Sequence, residues 1–213
     1  MLSLYYAPKT CALASHIALE QAGAEYRAVR LDLSSNAQRS ADYLRVNPKG
    51  RVPALVTDRG ILTETPAILQ FISQTFPQAA LAPLDDAFEL ARMNAFNSFL
   101  CATVHVAHAH RMRGNRWADD PAAIAAMKAK VPQSVGECFD LIERKFFAGP
   151  WVMGEHYCVS DMYLFTIAQW LESDGVDPAR FPRVARHRQT MSELPAVRKV
   201  IADESSGTVA DGR

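Results

Sequence analysis

The chain opens with Leu2-Ser3-Leu4-Tyr5-Tyr6, then Ala7-Pro8-Lys9-Thr10, then Cys11-Ala12-Leu13-Ala14-Ser15-His16-Ile17-Ala18-Leu19-Glu20-Gln21-Ala22-Gly23. Residues 2–6 read as an apolar strand, broken by Pro8, which has no N–H to give to a central ladder. Cys11 to Ala22 is rich in helix formers, and Gly23 closes the helix as its C-terminal cap. Tyr26 to Asp32 is a second strand by its aromatic and β-branched content. Ser34 to Ser40 is a polar loop or a frayed helix, and Ala41 to Val46 a single helical turn. Val52 to Thr57 forms a third strand, Asp58-Arg59-Gly60 a turn and Ile61 to Thr63 a fourth strand. Thr65 as N-cap and Pro66 at the first helical position open a helix reaching about Thr75. The order β-α-β, then β-β-α, is that of a small α/β sheet domain.

Beyond Pro77 the pattern changes. Pro77 to Asp86 has no periodicity and reads as a linker. Phe88 to Met112 then carries apolar residues at three- and four-residue spacing. Pro121 to Phe147 is a second long helical run, with a kink or break expected at Pro132. Ser160–Leu171, Phe181–Met191 and Pro195–Asp203 are shorter helices, and the polar tail Ser205 to Arg213 is expected to fray. The 213 residues thus divide into an α/β domain over 1–78 and an all-helical domain over 86–213.

Lys plus Arg number 23 and Asp plus Glu 23, so the basic footprint of a nucleic-acid binder is absent. No apolar run is long enough for a membrane span, and no membrane association is expected. The N-terminus lacks the basic leader of a secretory signal. Four dispersed cysteines, Cys11, Cys101, Cys138 and Cys158, form neither a CxxC pair nor a metal-ligand spacing and suggest reduced thiols in a cytoplasm. Cys101 and Cys138 read as small core residues.

Cys11 is different because of its position. It follows a strand and a proline turn at the start of a helix, where unpaired N–H groups and the helix dipole favour a thiolate. The second candidate is Arg51-Val52-Pro53-Ala54-Leu55. A cis Val52–Pro53 bond would turn the Val52 backbone toward an extended peptide ligand, although a trans edge proline is statistically commoner. Glu64 and Thr65 stand where a helix begins, suited to the α-amino-acid end of a peptide and equally to plain capping. His105, His108 and His110 cluster on one helix. With no acidic or thiol ligand nearby and no HExxH, no metal is expected. A histidine facing a cleft can bond a thiol or steer a substrate, while surface or core-edge packing suits His108 and His110 at least as well.

Taken together, Tyr5 to Leu19, Asp42 to Leu55 and Leu62 to Gln70 resemble glutathione transferases of the bacterial beta class, as does Val159-Ser160-Asp161-Met162-Tyr163-Leu164-Phe165 in the helical part. The resemblance spans nearly the whole chain. It implies a thioredoxin-like N-terminal domain followed by an all-α domain, with glutathione as co-substrate. By the same resemblance Cys11 contacts the glutathione sulfur, His105 lines the active site, and Tyr6 lies near the thiol. Arg51, Val52 and Pro53 fall to the cysteinyl backbone of glutathione, and Glu64 and Thr65 to its γ-glutamyl end. His108, Arg111 and Trp170 would border the electrophile. A cytoplasmic homodimer is implied.

Four positions depart from the family's pattern: Ala12 for a serine, Asn36 for a lysine, Thr103 for a glutamate and Val106 for a lysine. Cys158 replaces a capping Ser or Thr, leaving Ser160 as the expected cap. The activity so implied is conjugation of the glutathione thiol to small hydrophobic electrophiles, or reduction of mixed disulfides through Cys11. The alternative is a non-catalytic binding or stress-adaptor protein of the same fold.

Overall fold

The computed structural model of the chain describes residues 1–206. The first unit is a four-stranded sheet of β1 (Leu2–Tyr6), β2 (Tyr26–Arg30), β3 (Ala54–Thr57) and β4 (Gly60–Thr63), in the order β2-β1-β3-β4. β1 and β2 run parallel and are joined through α1 (Ala12–Gln21). The other two pairings are antiparallel. Side-chain alternation sets the register: Leu4 lies opposite Ala28 and Leu55, and all three are buried. β3 is shorter than the expected Val52–Thr57 because Pro53 cannot donate to the ladder.

α2 (Ala41–Val46) and α3 (Thr65–Thr75) complete this unit. The start of α3 corrects the expected cap. Glu64, at φ +71°, is the N-cap, Thr65 is already helical and Pro66 stands second. The Glu64 carbonyl accepts the first helical bond, from Ile68 N at 3.0 Å.

The helical unit contains α4 (Ala87–Phe99), α5 (His105–Arg113), α6 (Pro121–Lys145), α7 (Val159–Ala168), α8 (Pro182–Glu193) and α9 (Pro195–Ser206). The expected single run from Phe88 to Met112 is interrupted by one π turn over Leu100–Val104. Such turns often mark functional sites, and this one contains Cys101 and leads directly into His105. The break expected at Pro132 is absent: α6 runs through it. Proline removes one N–H rung, while Val131, Val135, Phe139 and Ile142 form a buried stripe that holds the helix to the core from Val131 onward. Ser205 and Ser206 belong to α9, and the rest of the expected tail lies outside the described residues.

The units are joined by burial. Eight consecutive residues of α1, Ala12 to Leu19, are buried, as is every residue of α7. Helices apolar all round belong in an interior, and α1 packs between the sheet and α7 and α9. His16 Nδ1 meets Glu204 Oε1 at 2.9 Å inside this contact. The expected linker is stapled at Leu81, itself buried, whose carbonyl accepts from Val159 N at 3.0 Å. The cap of α7 rests on buried Asp161. Its carboxylate accepts from Cys158 N (2.8 Å) and Val152 N (2.9 Å) and meets His187 Nε2 at 3.0 Å. Ser160 is not the cap, because its hydroxyl donates to Asn97 Oδ1 at 2.8 Å. No helix among the described residues is long and apolar enough to cross a membrane.

Candidate active site

A cleft of about 310 Å³ opens between the two units. The sheet unit contributes Cys11, Arg51, Val52, Pro53, Glu64 and Thr65. The helical unit contributes Cys101, His105, His108, Tyr163 and Trp170.

Cys11 is the N-cap of α1 and is buried. The N–H of Ala12 finds the Thr10 hydroxyl at 3.3 Å, and that hydroxyl donates to Ala7 O at 2.7 Å. One of the helix's free donors is therefore already used. Burial pushes the Cys11 thiol up to about 11, against smaller lowering by Thr65 and Arg113. The lowered value expected from the helix end is reversed, since desolvation of a thiolate outweighs a partial dipole charge. The thiol instead donates to the Val52 carbonyl at 3.5 Å.

The Val52–Pro53 bond is cis, the geometry the resemblance implied and the rarer one by statistics. The Arg51 carbonyl beside it accepts from Tyr43 Oη (2.6 Å) and Asn47 Nδ2 (2.7 Å), while the Arg51 side chain is left exposed at the rim. Gly50, at φ +59°, lets the chain pass under Arg39: a Cβ there would lie 2.9 Å from Arg39 Nη1. Glu64 is paired with Lys49, whose ammonium also reaches Thr63 Oγ1 at 2.7 Å.

On the facing wall, Trp170 stacks on His108 with centroids 4.1 Å apart and lies 5.0 Å from His105. His108 Nδ1 meets both oxygens of buried Asp174 at 2.8 Å. His105 is pushed down to about 4, chiefly by burial and then by His108, Arg113 and Arg116, so it is neutral near pH 7. Tyr163 is fully buried, and among the described residues its hydroxyl has no partner at hydrogen-bond geometry. Thr65, Cys11 and Cys101 are its neighbours, and burial raises its pKa well above the usual phenol value. It therefore remains a donor without an acceptor at the cleft wall.

Two family models match the chain: the N-terminal domain of glutathione S-transferases over residues 1–74 and the C-terminal domain over 98–195. A Sulfitobacter glutathione transferase homologue, solved with bound glutathione, is 40% identical with a TM-score of 0.92, covering 98% of this chain and 99% of that one. The chain belongs to the glutathione S-transferase family. The beta-class enzyme of Sphingomonas chungbukensis is 32% identical with a TM-score of 0.83, over 95% and 98% of the two chains. Glutathione S-transferase GstA of Escherichia coli O157:H7 is 29% identical over 206 residues, 95% of this chain and 98% of its own.

Within this family fold, not every expected residue reaches the cleft. Tyr6 is buried under the sheet with its ring on His16, 4.9 Å between centroids, and does not line the site. It shares the inward face of β1 with Leu4, so the strand's alternation turns it away. Arg111 also stays out: its Nε lies 3.0 Å from Asp174 Oδ1, behind His108. His110 packs on Trp117. Of the departures from the family's pattern, Val106 lines the cleft, while Asn36 and Thr103 do not. Sequence reading missed Tyr163, Cys101, Arg39, Arg113 and Arg116 among the lining residues. Arg113 and Arg116 carried a legible signal, as cations three apart at the C-terminal end of a helical run. Tyr163 carried none, since a tyrosine in an apolar helix reads as core.

Proposed function

We propose that this chain is a glutathione transferase that activates the glutathione thiol in the cleft and delivers it to an electrophile held against the helical wall. The observation that supports this reading is the convergence of Cys11, Val52, Glu64 and Thr65 on one wall, opposite His105 and Trp170. Relatives of the same family are solved with glutathione bound. Val52 offers backbone groups to the cysteinyl residue, and Glu64, with the N-terminus of α3, offers opposite charges to the γ-glutamyl ammonium and carboxylate.

The chemistry follows from the protonation states. A histidine held near pKa 4 is a weak base at neutral pH, so His105 is not the main proton acceptor. The lowering of the glutathione pKa falls instead on hydrogen-bond donors and nearby cations. Cys11 remains a neutral thiol in the free protein and serves as a donor to the bound thiolate, along with Tyr163. This favours conjugation over thiol–disulfide exchange, which needs Cys11 as thiolate. The proton leaves to solvent, and the thiolate forms the new bond to carbon. We also propose a cytoplasmic homodimer, with exposed Ile61, Leu84 and Phe88 as the apolar surface that pairing would cover.

The deciding experiment is retention on immobilised glutathione by wild type and Cys11→Ala, followed by mass spectrometry after glutathione disulfide. Retention of both proteins without an adduct supports the donor role. A single adduct that the mutant lacks assigns exchange chemistry to Cys11. Loss of retention by both transfers the fold to the non-catalytic adaptor reading.

A further inference from the structure

The cleft holds more positive charge than glutathione neutralises. Lys9, Arg39, Arg51, Arg113 and Arg116 all line it. Among the described residues none of these five forms an ion pair. Among the described residues the only carboxylate in the lining, Glu64, is already paired with Lys49. Glutathione brings two carboxylates and one ammonium, a net charge of −1, or −2 as thiolate. Uncompensated cations therefore remain in a concave site, where field lines concentrate on an incoming anion.

The surplus has a location. Arg113 ends α5 and Arg116 lies in the turn Gly114–Arg116 that follows, on the helical wall opposite Val52 and Glu64. Burial, and then the charges of Arg113, Arg51 and Arg39, lower the Arg116 pKa, so an anion seated there offsets both. Both arginines act electrostatically on His105, and Arg113 on Cys11. They line the same cleft as Cys11 and His105. Met112 and Trp117, also in the lining, flank them with apolar surface.

We infer that the electrophile is an anionic aromatic or unsaturated acid, its carboxylate held by Arg113 and Arg116 and its apolar body lying on Met112 and Trp117. This rests on the transferase reading and narrows its substrate class. With an aryl halide acid the balance is simple: the glutathione S–H loses its proton to solvent, sulfur bonds to the ring carbon, and chloride leaves with the electron pair of the C–Cl bond.

The test uses 4-chloro-3-nitrobenzoate and its neutral analogue 4-chloro-3-nitrobenzamide. Binding to the full chain is read by tryptophan fluorescence, with and without S-methylglutathione, an inert stand-in for the co-substrate. The expected result is about tenfold tighter binding of the acid, as charge-assisted hydrogen bonds supply, shrinking with added salt. Arg113→Gln and Arg116→Gln should each lose more affinity for the acid than for the amide. Equal affinities in wild type overturn the proposal. So do arginine variants that weaken S-methylglutathione while keeping the preference for the acid, since the arginines then serve the tripeptide. Absence of S-methylglutathione binding sinks the transferase reading and, with it, the acid's role as electrophile, while the acid–amide comparison made without it still decides whether Arg113 and Arg116 hold an acid in the cleft.

Discussion

The indole Nε1 of Trp170 donates to the backbone carbonyl of Lys9 at 3.2 Å, joining residues 161 apart in sequence. Lys9 sits at φ +61°, two residues before Cys11, so this bond ties the helical wall to the loop that presents the thiol. Trp170→Phe keeps an aromatic ring for His108 but removes the donor. We expect a loss of about 1 kcal/mol in stability and weaker S-methylglutathione binding. Unchanged urea midpoint and affinity would show that the bond holds nothing in place.

Tyr163 carries opposite demands. A buried hydroxyl without an acceptor costs about 1–3 kcal/mol, so Tyr163→Phe should raise the melting temperature of the free protein. The same change removes a donor from the bound thiolate. We expect the absorbance titration near 240 nm to place the glutathione thiol at higher pKa, with kcat/KM about tenfold lower. A variant that is stabilised and fully active would leave Tyr163 with no part in the chemistry.

Cys11, with its thiol pushed up to about 11, should alkylate slowly at pH 7–8. Its rate with iodoacetamide, followed on the Cys11 peptide by mass spectrometry, should keep climbing past pH 9 as thiolate forms. A rate that levels off below pH 8 contradicts the burial argument and restores Cys11 as a ready nucleophile.

His105 links pH to stability. Its folded value of about 4 lies below the unperturbed 6.5, so between these values the unfolded chain binds the proton and the native state does not. Stability therefore falls as pH drops from 6.5 toward 4, by at most about 3 kcal/mol from this group. His105→Gln should flatten that part of the wild-type profile in urea titrations. Parallel profiles would mean that His105 titrates normally in the fold.

The sequence by itself determined the two-part architecture and much of one cleft wall. Proline turns, helix formers and strand alternation are local signals, and they carry the strands of the sheet and most of the helices. The motifs around Cys11, Val52 and Glu64 sit at turns whose backbone geometry is dictated by residues a few positions away. Local signals also explain the misses of one or two residues, such as the cap of α3, where Glu64 takes a positive φ that no flanking residue announces.

Tertiary structure decided the rest. Whether Cys11 is a thiol or a thiolate depends on how much water α7 and α5 leave around it, a quantity summed over residues more than 90 positions away. Tyr6 and Tyr163 look alike in sequence, as aromatics in apolar segments. Packing turns one into the sheet core and the other to the cleft wall beside Cys11. The cationic surplus is likewise invisible in a chain whose formal charge is zero. Arg39, Arg51, Arg113 and Arg116 come from separate elements, and only the closure of the two units brings them to one cavity without a carboxylate of their own.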